Sequence, residues 1–155
     1  CAFLLRDDIE TIHAATDLLA EAKLSPELRN EALYYRAKAY TKQKADKKAM
    51  EDYRELAKDT RNSYGAEAKY QVAQSLYDAK EYAAAEKELL NYIEQSTPHA
   101  YWLARSFILL SDVYHATGKD LDARQYLLSL QQNYQGNDDI ESMIESRLSK
   151  LKVEN

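Results

Sequence analysis

An all-α fold, organised as a solenoid of repeated helix pairs, is what this sequence predicts, and three observations point to it. The 155 residues contain only three glycines and two prolines, with 30% charged and 45% hydrophobic side chains, a composition that favours long helices with few breaks. An internal pattern of small and large apolar residues recurs three times. Between its copies stand short turn signals of the kind that join antiparallel helices. The length suits one continuous domain.

The elements follow in order. Cys1-Ala2-Phe3-Leu4-Leu5 is an apolar run followed directly by Arg6-Asp7-Asp8, and it reads as the tail of a helix whose beginning would precede Cys1. A lipid-anchored mature chain would also open on Cys, but it would continue into a polar tether. Asp7-Asp8 opens a helix expected to reach Lys23, with Ile9, Ile12, Leu18 and Leu19 on its buried side. Ser25-Pro26 reads as N-cap and first helical residue of a helix ending near Lys42, and Asp46 begins its partner, ending near Thr60. Asn62 or Ser63 caps the next pair, Tyr64 to Ala79 and Glu81 to Gln95. Thr97-Pro98 repeats the Ser-Pro device and starts a helix ending at Gly118, a natural left-handed terminator, with Asp120 to Tyr134 as partner. After Gly136-Asn137, the residues Ile140, Met143, Ile144, Leu148 and Leu151 form a single apolar stripe on a closing helix. Its acids come first and its bases last, as the helix dipole favours. A solenoid needs such an end piece with a polar outer face.

The repeat itself is explicit. Leu33, Ala37, Tyr40, Ala49, Tyr53 and Leu56 are matched 36 residues on by Lys69, Ala73, Leu76, Ala85, Leu89 and Tyr92. A further 38 residues on stand Phe107, Ser111, Tyr114, Ala123, Leu127 and Leu130. Ala49, Ala85 and Ala123 recur where two helices must approach closely, so a bulky residue there should overpack the pair.

This pattern resembles the tetratricopeptide repeat (TPR), whose units combine small residues on both helices with an aromatic and a turn glycine. The third copy carries the pattern through Tyr114, Gly118 and Ala123, the second through Ala73, Ala85 and Leu89, and the first through Ala37, Tyr40, Ala49 and Tyr53. Lys44 and Lys80 stand where glycine is usual. The resemblance implies a right-handed superhelical α-solenoid of helix pairs with a C-terminal capping helix. It divides the chain into a partial unit at 1–29, units at 30–63, 66–99 and 104–137, and the cap at 138–155, all one domain.

The composition disfavours several function classes. A formal charge of −5 argues against a grip on nucleic acid, which needs a concentrated basic surface, and Lys42, Lys44, Lys47 and Lys48 read as solvated turn lysines. No apolar run approaches the length of a membrane span, so no direct membrane insertion is expected. Cys1 is the single cysteine, and His13, His99 and His115 lack ligand spacing. No metal site, cofactor or catalytic residue is nominated, and no nucleophile elbow or phosphate loop is present. The expectation is a non-enzymatic chain.

What the resemblance implies instead is a concave face lined by the first helix of each unit, binding a protein or peptide partner. Carried onto this sequence, that face contains Tyr34 and Lys38 in the first unit, Tyr70, Gln74 and Tyr77 in the second, and Arg105, Asp112 and His115 in the third. Tyrosine offers broad contact area at low entropy cost, which suits peptide recognition. The same tyrosines could equally pack against a neighbouring helix. The carboxylate clamp of chaperone-binding TPR domains would require basic and amide residues where this chain has Tyr34, Lys38, Gln71, Arg105 and Leu109. Only Arg105 is compatible, so that use is disfavoured. An alternative role is a structural spacer or assembly surface with no groove ligand. The stretch from Tyr64 to Ala73 is similar to helix openings of bacterial envelope TPR proteins and implies a periplasmic or cell-envelope location, with the cytoplasm as alternative. No oligomeric state is read from the sequence.

Overall fold

The computed structural model describes residues 7–95 and 97–151. Among them are eight helices and no strand: α1 Asp8–Leu19, α2 Pro26–Lys42, α3 Asp46–Leu56, α4 Ser63–Asp78, α5 Tyr82–Glu94, α6 Ala100–Ala116, α7 Asp120–Asn133 and α8 Ile140–Lys150. The all-α expectation holds. The helix tail expected at residues 1–6 lies outside the described residues. The chain forms two compact units, Cys1–Lys69 and Tyr70–Asn155, which part inside α4.

In the first unit, α2 packs against both α1 and α3. The core is built largely from small residues, with Ala15, Ala32, Ala37 and Ala66 fully buried beside Leu33, Tyr53 and Leu56. Asp7 caps α1 by accepting from the Glu10 N–H at 2.8 Å, and Ser25 caps α2 by accepting from Leu28 at 3.2 Å. Pro26 stands in the first turn, where its missing N–H costs nothing.

Helix α1 departs from expectation in two ways. It stops at Leu19 rather than Lys23, because the amides of Ala20 and Glu21 bond back three residues, to Asp17 and Leu18, and tighten the last turn. Its buried residues are Thr11 and Ala15, while Ile9 is 56% exposed and Ile12, Leu18 and Leu19 are only half-buried. The helix turns its small residues, rather than its largest apolar ones, inward. Two polar links then join α2 to α1, from Arg36 to Thr16 and from Gln43 to Asp8.

Helix α3 also ends early, at Leu56. Asn62 is the cap of α4, its side-chain oxygen accepting from the Gly65 N–H at 2.8 Å. Gly65 lies so close to the backbone that a Cβ there would sit 1.8 Å from the Asp59 carbonyl oxygen and 2.8 Å from that of Leu56. Only glycine fits this approach.

In the second unit, α6 packs against α5 and α7, and α8 packs against both α6 and α7. Their shared core includes Leu89, Ile108, Leu110, Leu127, Ile140 and Ile144, with Met143 and Leu148 packed on its edge. The apolar stripe read on the closing helix is therefore the face that docks. Helix α6 begins at Ala100, not at Thr97-Pro98. The Thr97 hydroxyl accepts from the N–H of His99 at 3.3 Å, closing a local turn that holds Pro98 outside the helix.

One turn geometry appears three times. Lys44, Lys80 and Gly118 have φ of 60°, 62° and 80°. The following amides, of Ala45, Glu81 and Lys119, bond five residues back to the carbonyls of Tyr40, Leu76 and Tyr114 at 2.8, 2.9 and 2.7 Å. These are Schellman closures. The next helix then starts on the same residue, since Ala49, Ala85 and Ala123 donate to Ala45, Glu81 and Lys119. All three alanines are at most 2% exposed. The two lysines in the glycine place thus adopt the left-handed backbone that glycine adopts in the third copy.

Candidate functional site

The eight residues nominated for a binding face fall into three clusters. The first lies within the first unit, where α2 presents Tyr34 and Lys38 one turn apart. Between them stands Glu67 of α4, a carboxylate only 8% exposed. The Tyr34 hydroxyl donates to one of its oxygens at 2.9 Å, and Lys38 Nζ lies 3.0 Å from the other and 5.1 Å from the centre of the Tyr34 ring. Tyr34 also meets Tyr35 and Tyr64 at ring separations of 5.3 and 4.7 Å. Burial, reinforced by the Glu67 charge, pushes the Tyr34 hydroxyl well above the ordinary phenol range. These contacts spend the polar groups internally.

The second cluster, in the second unit, joins Tyr70 and Gln74 of α4 to Arg105 of α6. Tyr70 is buried and donates to Gln74 at 2.9 Å, while Gln74 donates on to Asp78. The Arg105 guanidinium donates to the hydroxyls of Tyr70 at 3.0 Å and Tyr101 at 2.9 Å. It lies 4.9 Å from the Tyr70 ring centre and 6.0 Å from that of Trp102, within the range of cation–π attraction. Burial raises the Tyr70 hydroxyl despite the opposing Arg105 charge. The Tyr101 hydroxyl passes the bond on to Asp139 at 3.0 Å. Tyr70 is thus packed against Arg105 and Trp102, as in the alternative the sequence left open for the tyrosines, while Arg105 is only partly buried.

The third cluster is open. Tyr77 of α4, with Ser111, Asp112 and His115 of α6, faces Arg147 and Lys150 of α8 and the adjoining Leu151 across a cavity of about 350 Å³. Arg147 is forked onto Asp112, with Nε and Nη2 at 2.8 and 3.1 Å from its two oxygens. His115 Nδ1 lies 2.8 Å from Asp120 Oδ1, and both side chains are about half exposed. The Ser111 hydroxyl is committed to the Ile108 carbonyl at 2.6 Å. Burial, then the Asp112 charge, raises the Tyr77 hydroxyl. A cavity of this size, with an apolar wall and convergent polar groups, is suited to holding a small part of a ligand.

Sequence reasoning reached Tyr77, Asp112 and His115 but missed Arg147 and Lys150, because α8 was read only as an end piece. Arg147 follows Asp112 by 35 residues, a separation that matches neither repeat spacing, so the register held no signal for it.

Among the described residues, no group of three or more His, Cys, Asp or Glu side chains is placed to hold a metal ion, and no helix is long and apolar enough to cross a membrane. No family model, curated protein or solved structure matches this chain.

Proposed function

We propose that this chain is a helical-repeat scaffold of the tetratricopeptide type, its helix pairs stacked as a right-handed solenoid, and that it holds a polypeptide partner rather than catalysing a reaction. The observation that carries the reading is the open cavity bounded by Tyr77, Asp112, His115, Arg147 and Lys150. It brings together three of the residues that the resemblance places on the concave face, Tyr77, Asp112 and His115. Support for the repeat comes from the turns at Lys44, Lys80 and Gly118, which share one backbone geometry. Support for binding over catalysis comes from the Ser111 hydroxyl, which is tied to a backbone carbonyl instead of to His115.

The second reading, an assembly surface without a groove ligand, is favoured by a shallow hollow on α5 bordered by Glu86, Lys87, Leu90 and Glu94. An introduced negative charge separates the two. His115→Glu places a carboxylate at the cavity mouth beside Asp120, which lies 2.8 Å from the ring it replaces, and should cost about 0.5–1.5 kcal/mol, so its folding is checked by circular dichroism. The set of polypeptides captured by the immobilised chain should be lost with His115→Glu and kept with Lys87→Glu. The reverse pattern would favour the assembly surface.

A further inference from the structure

The donors around the cavity outnumber its free acceptors. Asp112 contributes no uncompensated charge, since each of its oxygens accepts from Arg147. A guanidinium carries five N–H donors. Arg147 commits one each from Nε and Nη2 to Asp112 and one from Nη1 to the Met143 carbonyl, so two remain. Lys150 pairs with no carboxylate among the described residues, and the Tyr77 hydroxyl holds no hydrogen bond among them. Leu151 and the Tyr77 ring supply apolar wall beside these donors.

We infer that this cavity receives an acidic side chain of the bound polypeptide, its carboxylate meeting Lys150, the spare Arg147 donors and the Tyr77 hydroxyl, and its methylenes lying against Leu151. An ionised carboxylate is acceptor-only, and bonds from charged donors to it are the strong ones. Lys150, the one lining cation without a carboxylate partner among the described residues, matches one negative charge, whereas a phosphate dianion would leave charge unbalanced. The cavity also accommodates a side chain rather than a helix.

The inference rests on the scaffold reading, and its test uses the whole chain without any partner. Amide resonances are followed while N-acetylglutamate N-methylamide is added, with the glutamine counterpart and inorganic phosphate as separate titrations at constant ionic strength. Saturable shifts are expected at Tyr77, Asp112, His115, Arg147 and Lys150 with the glutamate compound only. Lys150→Gln should weaken the titration by about two- to fivefold, the range of a partly exposed ion pair, and Lys150→Arg should restore it. Equal shifts with the glutamine compound, tighter binding of phosphate, or an unchanged titration in Lys150→Gln would overturn the proposal. A failed titration beside intact partner capture removes only the carboxylate chemistry. A successful titration beside capture that ignores His115→Glu removes the scaffold reading of the site.

Discussion

Arg36 and Asp52 form the most enclosed ion pair described in the first unit, with Nε and Nη2 at 2.8 and 2.7 Å from the two carboxylate oxygens. The Asp52 side chain is only 5% exposed. Its hydrogen bonds hold the Arg36 guanidinium protonated above the ordinary arginine range, against the opposing effect of burial. Asp52→Asn keeps the shape and removes the charge, and chemical denaturation should register a loss of about 1.5–3 kcal/mol, the worth of hydrogen bonds to a charged group. An unchanged midpoint would mean that the pair is solvated in the folded chain. At this scale the sequence was least informative. The repeat register placed Tyr34, Tyr70 and Tyr77 on corresponding helices, yet it does not disclose which neighbour covers each one. Tyr70 lies under Arg105 and Trp102, whereas Tyr77 borders open space. Gly65 was equally illegible, because its constraint comes from the carbonyls of Leu56 and Asp59 rather than from its own helix.

The helix pairs were far more legible, since a turn's chemistry is local. Lys80 at φ 62° occupies the left-handed region that disfavours a Cβ. Lys80→Gly should therefore raise stability by about 0.5–1 kcal/mol, the strain relief being partly offset by glycine's greater unfolded-state entropy. A lower melting temperature would show that the lysine side chain contributes more than its backbone costs. Ala85 is fully buried between elements. Ala85→Leu should cost about 1–3 kcal/mol by overpacking, measured by thermal melting, and no loss would contradict the register that equates Ala49, Ala85 and Ala123. Element ends were less predictable. Thr97-Pro98 has the letters of a helix start, but the Thr97 hydroxyl accepts from the nearby His99 amide and closes a local turn instead, and α1 closes early through backbone bonds that no side chain announces.

Over the whole molecule, five of the thirteen tyrosines tie stability to pH most plainly. Burial raises the hydroxyls of Tyr34, Tyr53, Tyr70 and Tyr92 above the ordinary value of 10.0, and Tyr134, also affected by Asp138, is pushed up to about 12. A raised folded pKa means that the folded chain holds these protons more tightly than the unfolded chain. The associated stability is complete below pH 10 and is lost as pH climbs from there through the folded values. Stability should fall above pH 10, and ring-carbon resonances of Tyr34, Tyr53, Tyr70 and Tyr92 should report their ionisation together with loss of helical circular dichroism. Ionisation of these four near pH 10 with the helices intact would refute the linkage.

What was missed in the site belongs to packing rather than to the repeat. Reading α8 as a polar terminus does not disclose which of its polar side chains meets α6, and the fork of Arg147 onto Asp112 makes the end helix one wall of the cavity. The central claim is that this cavity holds a polypeptide, and the most direct measurement is photo-cross-linking with a photo-reactive amino acid placed at His115 or, separately, at Lys87. The scaffold account predicts cross-links from position 115 to one contiguous segment of a partner and none from position 87. Cross-links from position 87 alone would contradict it.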